Sequence, residues 1–245
     1  MEKNVFSLNQ RCRRGLLAFV GVLLVSVTSG CATSGNSKDP IEGFNRVVFA
    51  FNDGLDSIAL RPVAKLYDAA LPKPVQRGIS NFFGNLDDVF TGVNNVLQGK
   101  PSEGISDIAR VLINSTVGVL GIFDWATDMG LEKHNEDFGQ TFGRWGVGAG
   151  PYLVMPLFGP KSLRDATGYV LDSQVDPISN IADVSTRNAT SGLRLIDKRA
   201  QLLPADKVIE EAALDKYSYL RDAYLQYRLS AVYDGNPPRR NFDDE

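Results

Sequence analysis

The sequence predicts an all-α protein, and three observations carry that expectation. Apolar residues recur at three- and four-residue steps through most of the chain. Proline-containing and glycine-containing breaks divide those runs into helix-length pieces. One stretch, residues 135 to 165, breaks the pattern and is too rich in glycine and proline to be one regular helix.

The first 30 residues read as a removable leader. Lys3, Arg11, Arg13 and Arg14 form a basic flank. Gly15 to Val27 is then apolar save for Ser26, too short a run to cross a bilayer as a permanent helix. The small residues Thr28, Ser29 and Gly30 lead into Cys31. This arrangement resembles the lipobox of bacterial lipoproteins, where signal removal leaves a lipidated cysteine as the first residue. The other reading is a secreted protein cleaved nearby. Ala32 follows the cysteine, and in lipoproteins that residue sorts the protein, here toward the outer membrane. Residues 31–38 are then a lipidated tether, 39–234 a helical domain and 235–245 a solvated tail. Cys12 departs with the leader, so the mature chain has no cysteine free for a disulfide and stability rests on packing.

Each helix has its own start signal. Asp39 and Pro40 resemble an N-cap and first helical position, opening a run with Ile41, Phe44, Val48, Phe51, Leu55 and Ile58 on one stripe. Between Pro74 and Pro101, the residues Val75, Ile79, Phe82, Phe83, Leu86, Val89, Phe90 and Val93 predict a long amphipathic helix. Ser102 and Glu103 start a third helix through Val117, followed by turns and a short helical piece in GVLGIFDWATDMG. Asp176 and Pro177 are placed to start another, continued by Leu193, Ile196, Ala200 and Leu203. Ala213, Tyr217, Leu220, Tyr224, Tyr227 and Ala231 form a last helical stripe, with the tyrosines expected in the core. Residues 135 to 165 are too apolar for a water-exposed loop and must be buried in protein or lie against lipid.

Charge and motif content exclude several functions. The leader takes three net positive charges with it, so the formal charge of −3 becomes −6 in the mature chain, an unsuitable balance for nucleic acid. His134 is the sole histidine, sits in the polar stretch LEKHNEDF and is expected at the surface; no G-x-S-x-G elbow presents a nucleophile beside it. One histidine and one acylated cysteine make no zinc set, so neither metal nor other cofactor is expected. The adjacent acidic pairs Asp87–Asp88 and Asp243–Asp244 read as solvated surface. GVGAG is followed by PYLVMP, not by a helix start with Lys and Ser or Thr, so it is not a nucleotide loop. No catalytic residue emerges.

Against that background the blocks DPIEGFNRVVFAFND, ISNFFGNL, VNNVLQGKP, FGQTFGRWGVGAGPYLVMPLFGPKSLRD, RAQLL and AYLQYR resemble the MlaA (VacJ) family of outer-membrane lipoproteins. The resemblance covers residues 39 to 235. It implies a ring-like helical body in the inner leaflet of the outer membrane, beside a trimeric porin. Such a body takes phospholipids that have strayed into the outer leaflet and passes them through an amphipathic channel to a soluble periplasmic carrier. The alternative is a structural lipoprotein that scaffolds an envelope complex and moves no lipid.

A lipid path needs a polar wall for the head group and apolar openings for the tails. Asn81, Asn85, Asp88 and Asn95 step 4, 3 and 7 along one line of the long helix, so they form either such a wall or a merely solvated face. Gly146, Gly148 and Gly150, with Gly143, either bend the backbone beside a pore or let helices pack closely around Trp145. Phe44 and Asn45 either lock the first helix against the body or form part of the channel, with locking favoured by the place of Phe44 on the apolar stripe.

Overall fold

The computed structural model describes residues 38–238. The leader, Cys31, the tether up to residue 37 and the end of the tail lie outside the described residues. Helix α1 (Glu42–Leu55) continues through a π-helical turn at Asp56–Leu60 into α2 (Arg61–Ala70). Two long helices follow, α3 (Lys73–Leu97) and α4 (Pro101–Thr116), each with proline in its first turn where no backbone donor is lost. Short α5 (Trp125–Asp128) and α6 (Phe138–Arg144) lead to a hairpin of β1 (Tyr152–Met155) and β2 (Gly159–Ser162). Helices α7 (Leu163–Val175), α8 (Val184–Gln201), α9 (Leu203–Ala212) and α10 (Lys216–Val232) complete the body. Among the described residues the hairpin is the only sheet, antiparallel with Tyr152 opposite Ser162.

Several expected helix ends move, for local reasons. Asp39 does not cap α1; it is buried, accepting the Asn45 amide at 2.8 Å and the Tyr217 hydroxyl at 2.5 Å. Asp176 and Pro177 start a turn, because Asp176 accepts from the Ile178 N–H two residues on. The helix begins at Val184 instead, capped by Asp183 through the Thr186 N–H at 2.9 Å. Leu203 does not extend that helix, since Pro204 opens a new one. The last helix starts at Lys216 with Asp215 as its cap, so Ala213 falls outside it.

Residues 135 to 165 are divided among α6, the hairpin and the start of α7. The hairpin is small but well held: Asn45 donates to the Tyr152 carbonyl at 3.0 Å and accepts from the Val154 N–H at 2.9 Å. Asn52 repeats the device about two helical turns on, bonding the Met155 carbonyl and the Leu157 N–H. Val48, Tyr152, Val154 and Tyr217 form the apolar core there, with Phe44 and Tyr224 packed against it. Tyr227, by contrast, is exposed. Asn45 and Phe44 thus tie α1 to β1.

The polarity of the body is inverted. Asn45, Asn85, Asp88, Asn95, Asp107 and Arg110 are buried, while Val47, Phe51, Ile58, Leu66, Ile105 and Leu112 are exposed. Ile58 is 82% exposed and Phe51 57%. So large a set of apolar side chains turned outward marks a surface meant for lipid or protein. No helix among the described residues is long and apolar enough to cross a membrane.

Candidate functional site

Helix α3 has two faces, and the polar one points inward. Asn85, Asp88, Thr91, Asn94 and Asn95 are buried, whereas Val75, Val93, Val96 and Leu97 are exposed. The polar line is therefore not a solvated face. Asn95 donates to Asp107 of α4 at 2.7 Å. Asp88 takes Lys133 at 2.6 Å and Arg110 at 3.4 Å. Burial still pushes the Asp88 carboxyl above its usual range, against the pull of both cations. Asn85 bonds the Ser115 hydroxyl at 2.9 Å, and half-buried Asn81 bonds the Ile122 carbonyl at 3.1 Å.

Arg110 is fully buried and organises the next layer. Both of its Nη2 contacts go to the Asp124 carboxylate, at 2.9 and 3.0 Å, and its Nη1 donates to the Thr127 hydroxyl and the Leu131 carbonyl. Burial acts to raise the Asp124 pKa, but hydrogen bonds from Thr127 and Asn114 and the charge of Arg110 outweigh it, leaving about 2. His134, expected at the surface, is partly buried against Asp107 at 2.9 Å. Asp87 and Asp88 are likewise not a solvated pair, since Asp87 meets Arg194 of α8 and Asp88 faces the opposite cations. The spacing in α4 carries the matching signal in the sequence: Asp107, Arg110 and Asn114 step 3 and 4, like the polar line they meet.

Three cavities lie along this interior and share walls. One of about 350 Å³ sits between α3, α8 and α9, and one of about 300 Å³ adjoins it through Ser80, Asn81, Asp197 and Gln201. The third, about 800 Å³, shares Asp87, Asn135 and Lys198 with the second. Together they form a run of adjoining hollows lined by polar and apolar side chains, of a size that suits small-molecule or head-group occupancy. Asn81 and Asn85 line it, whereas Asp88 and Asn95 stand behind the wall and hold α3 to α4. Arg194 and Lys198 of α8 complete the large cavity, with Phe90, Phe158, Tyr169 and Tyr227 as its aromatic walls.

The glycines separate into two groups. Gly146 and Gly150 take positive φ, 91° and 69°, and so turn the backbone where other residues would be strained. Open space surrounds Gly146 and Gly148, and none of the three lines a cavity described above. Close packing occurs instead at Gly139, Gly143 and Gly168; a Cβ on Gly168 would lie 2.3 Å from the Gly139 nitrogen. Trp145 is exposed, not a packing centre, and its indole N–H donates to the Leu97 carbonyl at 2.9 Å.

A family model described as MlaA lipoprotein matches residues 37–231. The chain is 36% identical over 225 residues to the intermembrane phospholipid transport system lipoprotein MlaA of Escherichia coli strain K12, covering 88% of this chain and 87% of that protein. It is 31% identical over 217 residues to the protein of the same description from Haemophilus influenzae, covering 84% and 86%. A solved structure concerned with the structural basis for maintenance of bacterial outer membrane lipid asymmetry superimposes with a TM-score of 0.70 at 35% identity, over 81% of this chain and 99% of that one. Matched across nearly all of its helical body in sequence and in fold, this chain belongs to the MlaA lipoprotein family.

Proposed function

We propose that the chain takes phospholipids misplaced in the outer leaflet of the outer membrane, moves them through its polar interior and hands them to a soluble periplasmic carrier, so maintaining lipid asymmetry. The observation that carries this reading is the inverted polarity: buried polar side chains and adjoining cavities inside, exposed Val, Ile, Leu and Phe outside. A head group needs the first and acyl chains need the second. Asn81 and Asn85 serve as the head-group wall, while Asp88 and Asn95 brace it. Gly146, Gly148 and Gly150 act at the periphery by shaping the loop before the hairpin, and Phe44 with Asn45 locks the first helix.

No covalent chemistry is part of this reading, and the chain works without catalytic residues or cofactor. Cys31 carries the acyl anchor, residues 31–38 tether it to the body, and a trimeric porin stands beside the protein in the membrane. Palmitate labelling lost in Cys31→Ser is the outcome expected of the anchor; unchanged labelling overturns it.

The path itself is tested with Asn81→Leu. Asn81 lines two of the cavities, and Leu keeps the helix while removing a polar partner from the wall. Cells carrying this form at normal level should accumulate phospholipid in the outer leaflet and lose resistance to detergent. Asn188→Leu, at an exposed position of α8 away from the cavities, is the control. An intact barrier with both forms, together with lipid-free protein after gentle purification, would favour a scaffold that moves nothing.

A further inference from the structure

The largest cavity has an asymmetric charge pattern. Five carboxylates line it: Asp87, Glu136, Asp137, Asp172 and Asp176. Four have cationic partners. Asp87 and Asp176 both meet Arg194, Glu136 meets Lys100 at 3.1 Å, and Asp137 meets Arg228 at 2.6 Å. Among the described residues Asp172 has none within ion-pair distance; its carboxylate accepts one hydrogen bond there, from the Phe138 N–H at 3.3 Å. Arg228 and Lys161 act on it from farther away. Arg228 is already shared between Asp137 and Asp165, and Lys161 lies outside the cavity lining, over the Tyr169 ring at 5.0 Å. A carboxylate that is desolvated without a partner destabilises the fold, so its place on the wall of a cavity has to be sought in what the cavity holds.

The two cations on the same wall are already engaged: Arg194 bridges Asp87 and Asp176, and Lys198 lies 3.6 Å from Asp87. Tyr169, Phe158 and Phe90 present ring faces or edges to the space between. A carboxylate without an ion pair beside aromatic rings fits a cation. A head group that ends in an ammonium supplies one.

Resting on the transport reading above, we propose that this cavity selects phospholipids whose head group bears an ammonium, with the ammonium at Asp172, and disfavours anionic head groups. An anionic head group would leave Asp172 uncompensated and would face a wall on which carboxylates outnumber cations.

The test is a competition on the full-length lipidated protein in detergent micelles containing equal amounts of phosphatidylethanolamine and phosphatidylglycerol. Bound lipid is extracted and resolved by head group. Wild type should retain the ethanolamine lipid in an excess of about five- to tenfold, the scale of one charge-assisted contact. Asp172→Asn should bring the ratio close to one, and Asp172→Glu should restore most of it. Equal retention of both lipids by wild type overturns the proposal, as does a ratio that Asp172→Asn leaves unchanged in a form that still unfolds in one cooperative step. Total bound lipid reports separately on transport: wild-type protein that retains neither lipid refutes the underlying reading, and the selectivity falls with it.

Discussion

Asp172 also makes a stability claim at the scale of one residue. Burial, with the nearby charge of Asp137, lifts its pKa from 3.8 to about 6, while the Phe138 N–H, Arg228 and Lys161 pull the other way. Below about 4 the carboxyl is protonated whether the chain is folded or not, and it costs nothing. Above about 6 it is ionised in both states, and only the folded state bears the desolvation. Stability is therefore lost as pH rises between those values. Asp172→Asn keeps an acceptor for Phe138 and removes the charge, so it should stabilise the protein at pH 8 by about 1 kcal/mol, a figure reduced for the partial solvation of the site, and leave it unchanged at pH 4. Unfolding curves in detergent at the two pH values decide this. An equal effect at both would mean that shape, not charge, governs the position. No single-residue cue in the sequence distinguished Asp172 from its acidic neighbours, because its distinction is the missing partner, which only the packing of α6 and α7 creates. Asn45 was more legible: it follows Phe44 on a strongly periodic helix, and the fold turns that adjacency into one apolar contact and one pair of strand hydrogen bonds.

At the scale of elements, periodicity located α3 and its two faces but not which face would be inside. In water the apolar stripe turns in; in this body Val93 and Val96 turn out and Asn95 turns in, the arrangement suited to the lipid contact proposed above. The hairpin was illegible for another reason. Four-residue strands carry little pattern of their own, and these are held by Asn45 and Asn52 from a helix more than 100 residues away in sequence. Asp176–Pro177 misled because Asp closes a tight turn as readily as it caps a helix. The crossing of α3 and α4 rests on a glycine pair that spacing does not reveal: a Cβ on Gly104 would meet the Gly92 carbonyl at 2.7 Å and Val96 at 2.6 Å. Gly104→Ala should thus force the helices apart and destabilise by about 1–3 kcal/mol. Gly192, in the middle of α8 with nothing within 4 Å, has no such constraint. Gly192→Ala should stabilise by about 0.5–1 kcal/mol through helix propensity alone. Thermal melts of the two forms should move in opposite directions, and a neutral Gly104→Ala would show that the crossing relaxes freely.

For the whole molecule the governing fact is that buried polar groups and exposed apolar ones have exchanged their usual places. Inside, the polar groups are matched across helices: Asn95 to Asp107, Arg110 to Asp124, Arg228 to Asp137 and Asp165. Such pairing is needed because an unpaired charge in a poorly solvated interior costs several kcal/mol. Outside, Val47, Phe51 and Ile58 on the first helical run and Ile105 and Leu112 on α4 have no protein cover among the described residues. Each such side chain placed in lipid contributes about 1.5–3 kcal/mol, so the set together should hold the body at a membrane without help from an acyl chain. The form Cys31→Ser should therefore still float with liposomes. Adding Val47→Asp and Ile58→Asp places two charges in that surface and should cut the floating fraction several-fold, since charge within the hydrocarbon region is costly. Both positions are exposed, so the detergent-solubilised fold should change by no more than about 0.5 kcal/mol at each. Flotation that survives the two aspartates would mean that these side chains face a protein neighbour, and a monodisperse detergent-free monomer of Cys31→Ser would mean that the apolar surface is not a membrane surface at all.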